Sequence, residues 1–367
     1  MHFILRVVCF VVGGYAVIWT LTSAVRTFVL PRSDNVFLTR LVFQAIFRLF
    51  QLRIQWAKTY SARDWIMGFF SPVALLILPV TWLAIISLGY MLMFWAVGVR
   101  PWYDAFLLSG SSLLTLGFAS VDNLAEVFLA FSEATIGLGL VALLISYLPT
   151  MFTAFTEREA AVSMLEIYAS TPPSPAAMLK RMHRIHGLEY LSEIWKDWER
   201  WFVELEQTHT SLIPLVFFRS PHVGQSWVIT AGTVLDVAAL RSSTLDMPRD
   251  PKAELCIRAG YLALQNIVDF FRIPFDPKPR PTDPISVTYD EFMALCQELA
   301  DAGVPLKSDL DQAWRDFKGW RVNYDRVLRV LAGLTMAPSA PWSGDRAIQV
   351  PPRLFLSKEE EKGRRYG

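Results

Sequence analysis

Ser109-Gly110-Ser111-Ser112-Leu113-Leu114-Thr115-Leu116-Gly117-Phe118-Ala119, followed at once by the apolar segment Leu124 to Phe155, is the stretch on which the reading of the fold turns. The part before Thr115 is too short to cross a bilayer, which takes about 20 residues. It reads as a short re-entrant helix that ends in a loop, with a full membrane span behind it. A loop of this kind can hold a dehydrated cation if its backbone carbonyls replace the hydration shell, and a Thr hydroxyl can add one more oxygen at the inner end. Turning successive carbonyls toward one axis requires a recurring left-handed residue, and Gly117 adopts that conformation without penalty. Position 119 is the expected second such point; Ala119 there costs roughly 1 kcal/mol or more. The loop residues Thr115, Leu116, Gly117, Phe118 and Ala119 are therefore the candidate ion filter.

Working outward, the chain has 367 residues, of which 53% are hydrophobic, yet its second half is charged. That combination implies a membrane domain joined to a soluble one. A net charge of +1 gives no indication of a nucleic-acid partner. Cys9, Cys256 and Cys296 lie far apart, so neither a disulfide framework nor a zinc site is indicated.

Three apolar runs, Phe3 to Val29, Pro72 to Val97 and Leu124 to Phe155, are each long enough to span. A cleaved leader ending near Thr22-Ser23-Ala24 is the alternative for the first run, disfavoured by its length and by the basic segment that follows. That segment carries Arg32, Arg40, Arg48, Arg53, Lys58 and Arg63 against Asp34 and Asp64, which places it on the cytoplasmic side. The expected topology is a multi-pass inner-membrane protein with its amino terminus outside and everything after Phe155 in the cytoplasm. The expected organisation is a first span (1–30), a basic amphipathic linker (31–70), a pore module (71–156), a helical cytoplasmic domain (157–345) and a flexible tail (346–367).

The third span contains Glu133, an ionisable group that is costly in a membrane unless paired, wetted or neutral. One position for it is behind the loop, accepting hydrogen bonds from Ser111 or Ser112; the other is a solvated place near the outer interface. Gly137 and Gly139 suit close packing as well as bending, with Gly139 the better hinge. Pro149 removes one helical hydrogen bond near the inner end. Asp104 is expected to cap the short helix. Asp122, just past the loop, is placed to concentrate cations at an outer mouth.

The run Thr115-Leu116-Gly117-Phe118-Ala119 resembles the Thr-Val-Gly-Tyr-Gly filter of the potassium-channel superfamily, with three of five positions substituted and Thr-x-Gly retained. Glu133-Ala134 followed by Gly137 and Gly139 is similar to the Glu-Ala-x-x-Gly-x-Gly pattern of the inner helix in its two-transmembrane members. Gly139 stands 24 residues after Thr115, the filter-to-hinge separation of the simplest of them. The resemblance covers residues 70 to 155. It implies an all-α membrane fold with a re-entrant pore helix, a permeant potassium or other monovalent cation, and no cofactor. Since one loop per chain cannot enclose an axis, it also implies a homotetramer. Phe118 can pack behind the loop as a Tyr would but lacks its hydroxyl. A non-conducting scaffold or sensor that keeps the pore fold is the alternative from another class.

Around this module, residues 36 to 58 interleave Phe37, Leu41, Ile46, Leu49 and Phe50 with basic residues, a pattern suited to the inner leaflet and to anionic lipid. Beyond Glu157, Trp195, Trp198, Trp201 and Phe202 recur at helical spacing and are expected in a core. Further helices are expected at 226–242, 251–271, 288–302 and 308–334, with proline-rich breaks at 172–175, 274–284 and 338–341. No nucleotide-binding βαβ pattern is evident. His183 and His186, with Glu189 or Tyr190 a turn later, share a face as metal ligands do, but surface histidines are the commoner explanation and no metal site is assigned. Neither these residues nor Ser220 and His222 form a constellation that argues for an enzyme.

Overall fold

The computed structural model describes residues 2–28 and 37–349. Arg32 and Asp34 of the basic linker, and the tail from residue 350 onward, lie outside the described residues. Among the described residues the chain forms α1 (His2–Phe28), α2 (Phe37–Ile54), α3 (Tyr60–Gly68), α4 (Phe70–Val97), α5 (Trp102–Leu113), α6 (Leu124–Tyr168), α7 (Pro175–Arg184), α8 (Leu191–Ser211), α9 (Trp227–Ser243), α10 (Pro251–Phe270), α11 (Tyr289–Asp301), α12 (Leu310–Arg321) and α13 (Asp325–Leu334). No strand occurs among them; one isolated antiparallel bridge pairs Leu245 with Leu306. Three helical stretches, Phe3–Phe28, Tyr60–Val97 and Leu124–Tyr168, are long and apolar enough to cross a membrane. Among the described residues the fold is thus all-helical, with three helices compatible with a membrane protein.

Its contacts divide it into two units, Met1–Trp56 with Gly68–Thr153, and Ala57–Met67 with Ala154–Gly367. In the first, α1 lies against α4. An added Cβ on Gly13 would stand 2.3 Å from the Gly89 carbonyl oxygen and 3.0 Å from Met93 Cγ, while one on Gly89 would stand 2.8 Å from Val17 Cγ2. Rising numbers on α1 meet falling numbers on α4, so the two helices run antiparallel and touch backbone to backbone, as small residues permit in a membrane. Phe28 continues the seam with its ring edge-on to the buried Trp82, centroids 5.0 Å apart.

The face that α2 buries is Leu38, Val42, Phe43, Ile46 and Phe47, packed against α1 and α4. Of the residues read as membrane-facing, Ile46 is buried, while Phe37, Leu41 and Leu49 stand exposed and open to lipid.

In the second unit α9 is buried almost throughout from Trp227 to Arg241, with α7, α8, α10, α12 and α13 packed against it. A helix apolar all round belongs at such a centre. Its single carboxylate, Asp236, is paired with the fully buried Arg321 of α12 and accepts the Tyr324 hydroxyl at 2.9 Å. Arg321 also bonds Asp325 at 3.0 Å, and Asp325 accepts Ser286 Oγ at 2.6 Å. Trp195, Trp198, Trp201 and Phe202 are buried on α8, as their spacing predicts.

Two boundaries differ from the sequence-based expectation. The span 308–334 is two helices, because the Asn323 side chain donates to the carbonyls of Gly319 and Trp320, both at 3.0 Å, and competes for acceptors an uninterrupted helix uses. Residues 346 to 349, expected in a flexible tail, are held in place: Arg346 is bound to Glu291 and to the Ser286 carbonyl, and the Ile348 amide donates to the Arg329 carbonyl at 2.9 Å.

Candidate functional site

The short helix α5 begins at Trp102 and ends at Leu113. Asp104 sits in its first turn, but the N-cap position is Pro101 and no side chain caps the amides, so the expected Asp104 cap is not formed. The other end is closed by a helix stop. Thr115 adopts φ 54°, its amide donates to the Ser112 carbonyl at 3.0 Å, and the Leu116 amide reaches back to the Ser111 carbonyl at 2.8 Å. That is the two-bond pattern of a Schellman stop, with a threonine where glycine is usual.

Gly117 follows in the same half of conformational space, with φ 70°. Thr115 and Gly117 are left-handed and Leu116 between them is not, whereas the left-handed residue expected at position 119 is absent. The second left-handed residue is Thr115 and not Ala119. Thr115 is turned by the helix stop, and Ser111 Oγ accepts the amide of Phe118 at 3.0 Å and of Ala119 at 3.1 Å, holding the far end of the loop by its N–H groups. Leu114 to Phe118 are exposed. The Thr115 hydroxyl donates to the Leu114 carbonyl at 2.8 Å.

Glu133 of α6 is fully buried. Its partner is Ser109: Ser109 Oγ stands 2.6 Å from Glu133 Oε1, 2.9 Å from Ser87 Oγ and 3.0 Å from the Ser87 carbonyl oxygen. Ser111 is engaged with the loop instead, and Ser112 is half-buried. Glu133 Oε2 finds no partner. One turn of packing decides between these serines: an added Cβ on Gly137 would lie 2.1 Å from the Leu113 carbonyl oxygen, so α6 meets the end of α5 there and brings Glu133 level with Ser109. The solvated position for Glu133 is thereby excluded.

Gly137 is therefore a contact point, whereas Gly139 has open space around it. Gly139 borders an apolar groove of about 440 Å³ between α1 and α6, lined also by Leu21, Ala24, Val25, Ile136 and Leu140. Pro149 lies inside α6, which continues past it without interruption to Tyr168. Asp122 is exposed, and its amide donates to Glu126 Oε2 at 2.8 Å. Glu126, which sequence reasoning missed, also accepts Asn123 Nδ2 at 2.7 Å while Asn123 Oδ1 accepts the Glu126 amide at 3.0 Å. The signal was present as an Asn followed three residues later by Glu, a reciprocal cap at the start of α6.

Among the described residues no group of three His, Cys, Asp or Glu side chains is arranged to hold a metal ion, His183 and His186 included. No protein-family model matches the chain, and no curated protein or solved structure matches it either.

Proposed function

We propose that the chain is one protomer of a homotetrameric channel for monovalent cations, potassium first among them, with Thr115 to Ala119 as its filter. The observation that carries this reading is the loop itself. A 12-residue helix, too short to span, delivers a backbone that alternates in hand at Thr115 and Gly117, pinned from behind by Ser111 and backed by the buried Glu133. Carbonyls turned toward one axis by such a loop would supply what a dehydrated cation needs, and four copies around that axis would complete its shell. The exposed loop residues would then face the axis, and α6 would line the path below it, with Gly139 and Pro149 as the points where it bends. Asp122 would raise the local cation concentration at the outer mouth. In this reading the basic residues Arg40, Arg48 and Arg53 put α2 at the cytoplasmic surface, where anionic lipid is its natural neighbour.

A second reading, a non-conducting scaffold or sensor, draws on the Schellman stop and on the Thr115 hydroxyl bond to Leu114, which account for the turn of the loop without an ion. Cation flux from liposomes separates the two. Potassium-dominated flux that disappears in Gly117→Ala supports the filter, equal potassium and sodium flux supports a non-selective one, and absence of flux under every gradient supports the scaffold. Ala119→Gly sharpens the comparison: it changes selectivity in a channel and changes nothing in a scaffold.

A further inference from the structure

We propose that Arg6 of α1 and Arg100, in the turn between α4 and α5, together bind the phosphate of an anionic membrane phospholipid. The antiparallel register of α1 and α4 brings the two residues to one end of the pair. Gly13 lies against Gly89 and Met93, so Arg6, seven residues before Gly13, comes level with the residues just past Val97. The electrostatics agree: partial desolvation first, and the neighbouring Arg6 guanidinium second, lower the proton affinity of Arg100 below its ordinary value. Two like charges side by side repel, and among the described residues neither forms an ion pair with a carboxylate. A shared anion removes that conflict.

The geometry of Arg100 leaves it ready to receive one. Its guanidinium carbon lies over the Trp95 ring, 3.6 Å from the centroid, and Trp95 stacks on Trp102 with centroids 4.6 Å apart and planes 9° apart. Its Nη1 donates to the carbonyls of Trp95 and Val99, at 2.6 and 3.4 Å, while Nε and Nη2 have no such bond among the described residues. A stacked guanidinium with a free donor edge suits phosphate. Indoles at the end of a spanning helix mark the headgroup level of a bilayer. Around Arg6, Phe3, Ile4, Val7 and Val8 are exposed on α1, which gives acyl chains an apolar surface beside the charge. That surface favours a lipid over free phosphate, and the pair of cations favours a net anion over a zwitterion. The site does not depend on the chain being a channel.

The test is thermal melting of the full-length protein, delipidated in a non-ionic detergent, with phosphatidylglycerol, phosphatidylcholine or inorganic phosphate added. The wild type is compared with Arg6→Gln, with Arg6→Gln/Arg100→Gln, and with Arg184→Gln/Arg200→Gln, two exposed cations on α7 and α8, as a control for basic surfaces outside the spans. The expected result is a rise of several degrees with phosphatidylglycerol, reduced in Arg6→Gln, absent in the first double variant and retained in the control. Should the double variant fail to fold, Arg6→Gln alone decides, since that side chain is exposed and forms no hydrogen bond among the described residues. An equal rise in wild type and Arg6→Gln, an equal rise with phosphatidylcholine, or the full rise with inorganic phosphate would each overturn the proposal.

Discussion

Gly137 and Gly139 look interchangeable in sequence, two residues apart on one helix, and the structure gives them opposite roles. A methyl on Gly137 meets a backbone carbonyl at 2.1 Å, which no rotamer change relieves. Gly137→Ala should therefore lower the melting temperature of the solubilised protein, by an amount equivalent to about 1–3 kcal/mol. Gly139→Ala, with nothing near its added methyl, should leave stability within about 0.5 kcal/mol of wild type. The same contrast applies to Arg321. It is buried with two carboxylates, so Asp236→Ala strands half of its pairing and should cost about 3–5 kcal/mol by urea unfolding, whereas removing the exposed Arg249–Glu254 pair should be nearly silent. At this scale the sequence was only partly legible. That Glu133 is a special residue was readable, because a carboxylate in an apolar span demands an explanation. That its partner is Ser109 was not, because Ser109 and Ser112, three residues apart, share one face of α5 with Ser111 beside it, and only the contact at Gly137 selects among them.

Elements with one strongly periodic face were readable, as α8 with its tryptophans, α10 and α11 attest; elements whose ends are set by neighbours were not. The clearest case is α6, expected to end near Phe155 and found to continue to Tyr168. Its continuation is fixed within the second unit by Arg158, almost fully buried, which bonds Glu159 Oε1 at 2.8 Å and the carbonyls of Leu215 at 2.7 Å and Phe218 at 2.8 Å. His209 of α8 completes the joint, with Nε2 3.5 Å from Arg158 Nη1, Nδ1 3.1 Å from Thr208 Oγ1 and its ring against Trp227 of α9. Burial, then the Arg158 charge, hold His209 well below the usual histidine value of 6.5. Its folded form is neutral, so the unfolded chain takes up the proton first. The stability this site contributes is complete above pH 6.5 and declines as pH falls toward the folded value, by up to about 1.4 kcal/mol per pH unit. Denaturant melts of wild type and His209→Gln between pH 7.5 and 5 should show a steeper decline in the wild type. Glu291, held down to about 2 first by its hydrogen bond to Arg346, acts in a different window: its contribution persists down to about pH 4.5 and is lost only below that.

At the scale of the whole molecule, the decisive question is what covers α6. In the single protomer Phe128, Phe131, Leu138, Ile145 and Phe152 all stand exposed along it. Lipid satisfies such residues on the outer side of a span, but if α6 lines a conduction path, as proposed above, it also has to meet its symmetry mates. On that reading a tetramer of this 41.7 kDa chain is expected by native mass spectrometry in a mild detergent. The proposed assembly also separates structure from transport. Gly117 has no atom within 4 Å of an added Cβ, so Gly117→Ala meets no clash and is penalised only by its left-handed φ, an effect confined to the loop. The variant should keep the tetrameric mass and a near-wild-type melting temperature while losing flux. If it loses flux only by failing to assemble, the loop holds the protomers together; if it conducts as well as wild type, the ions take another path and the filter assignment falls.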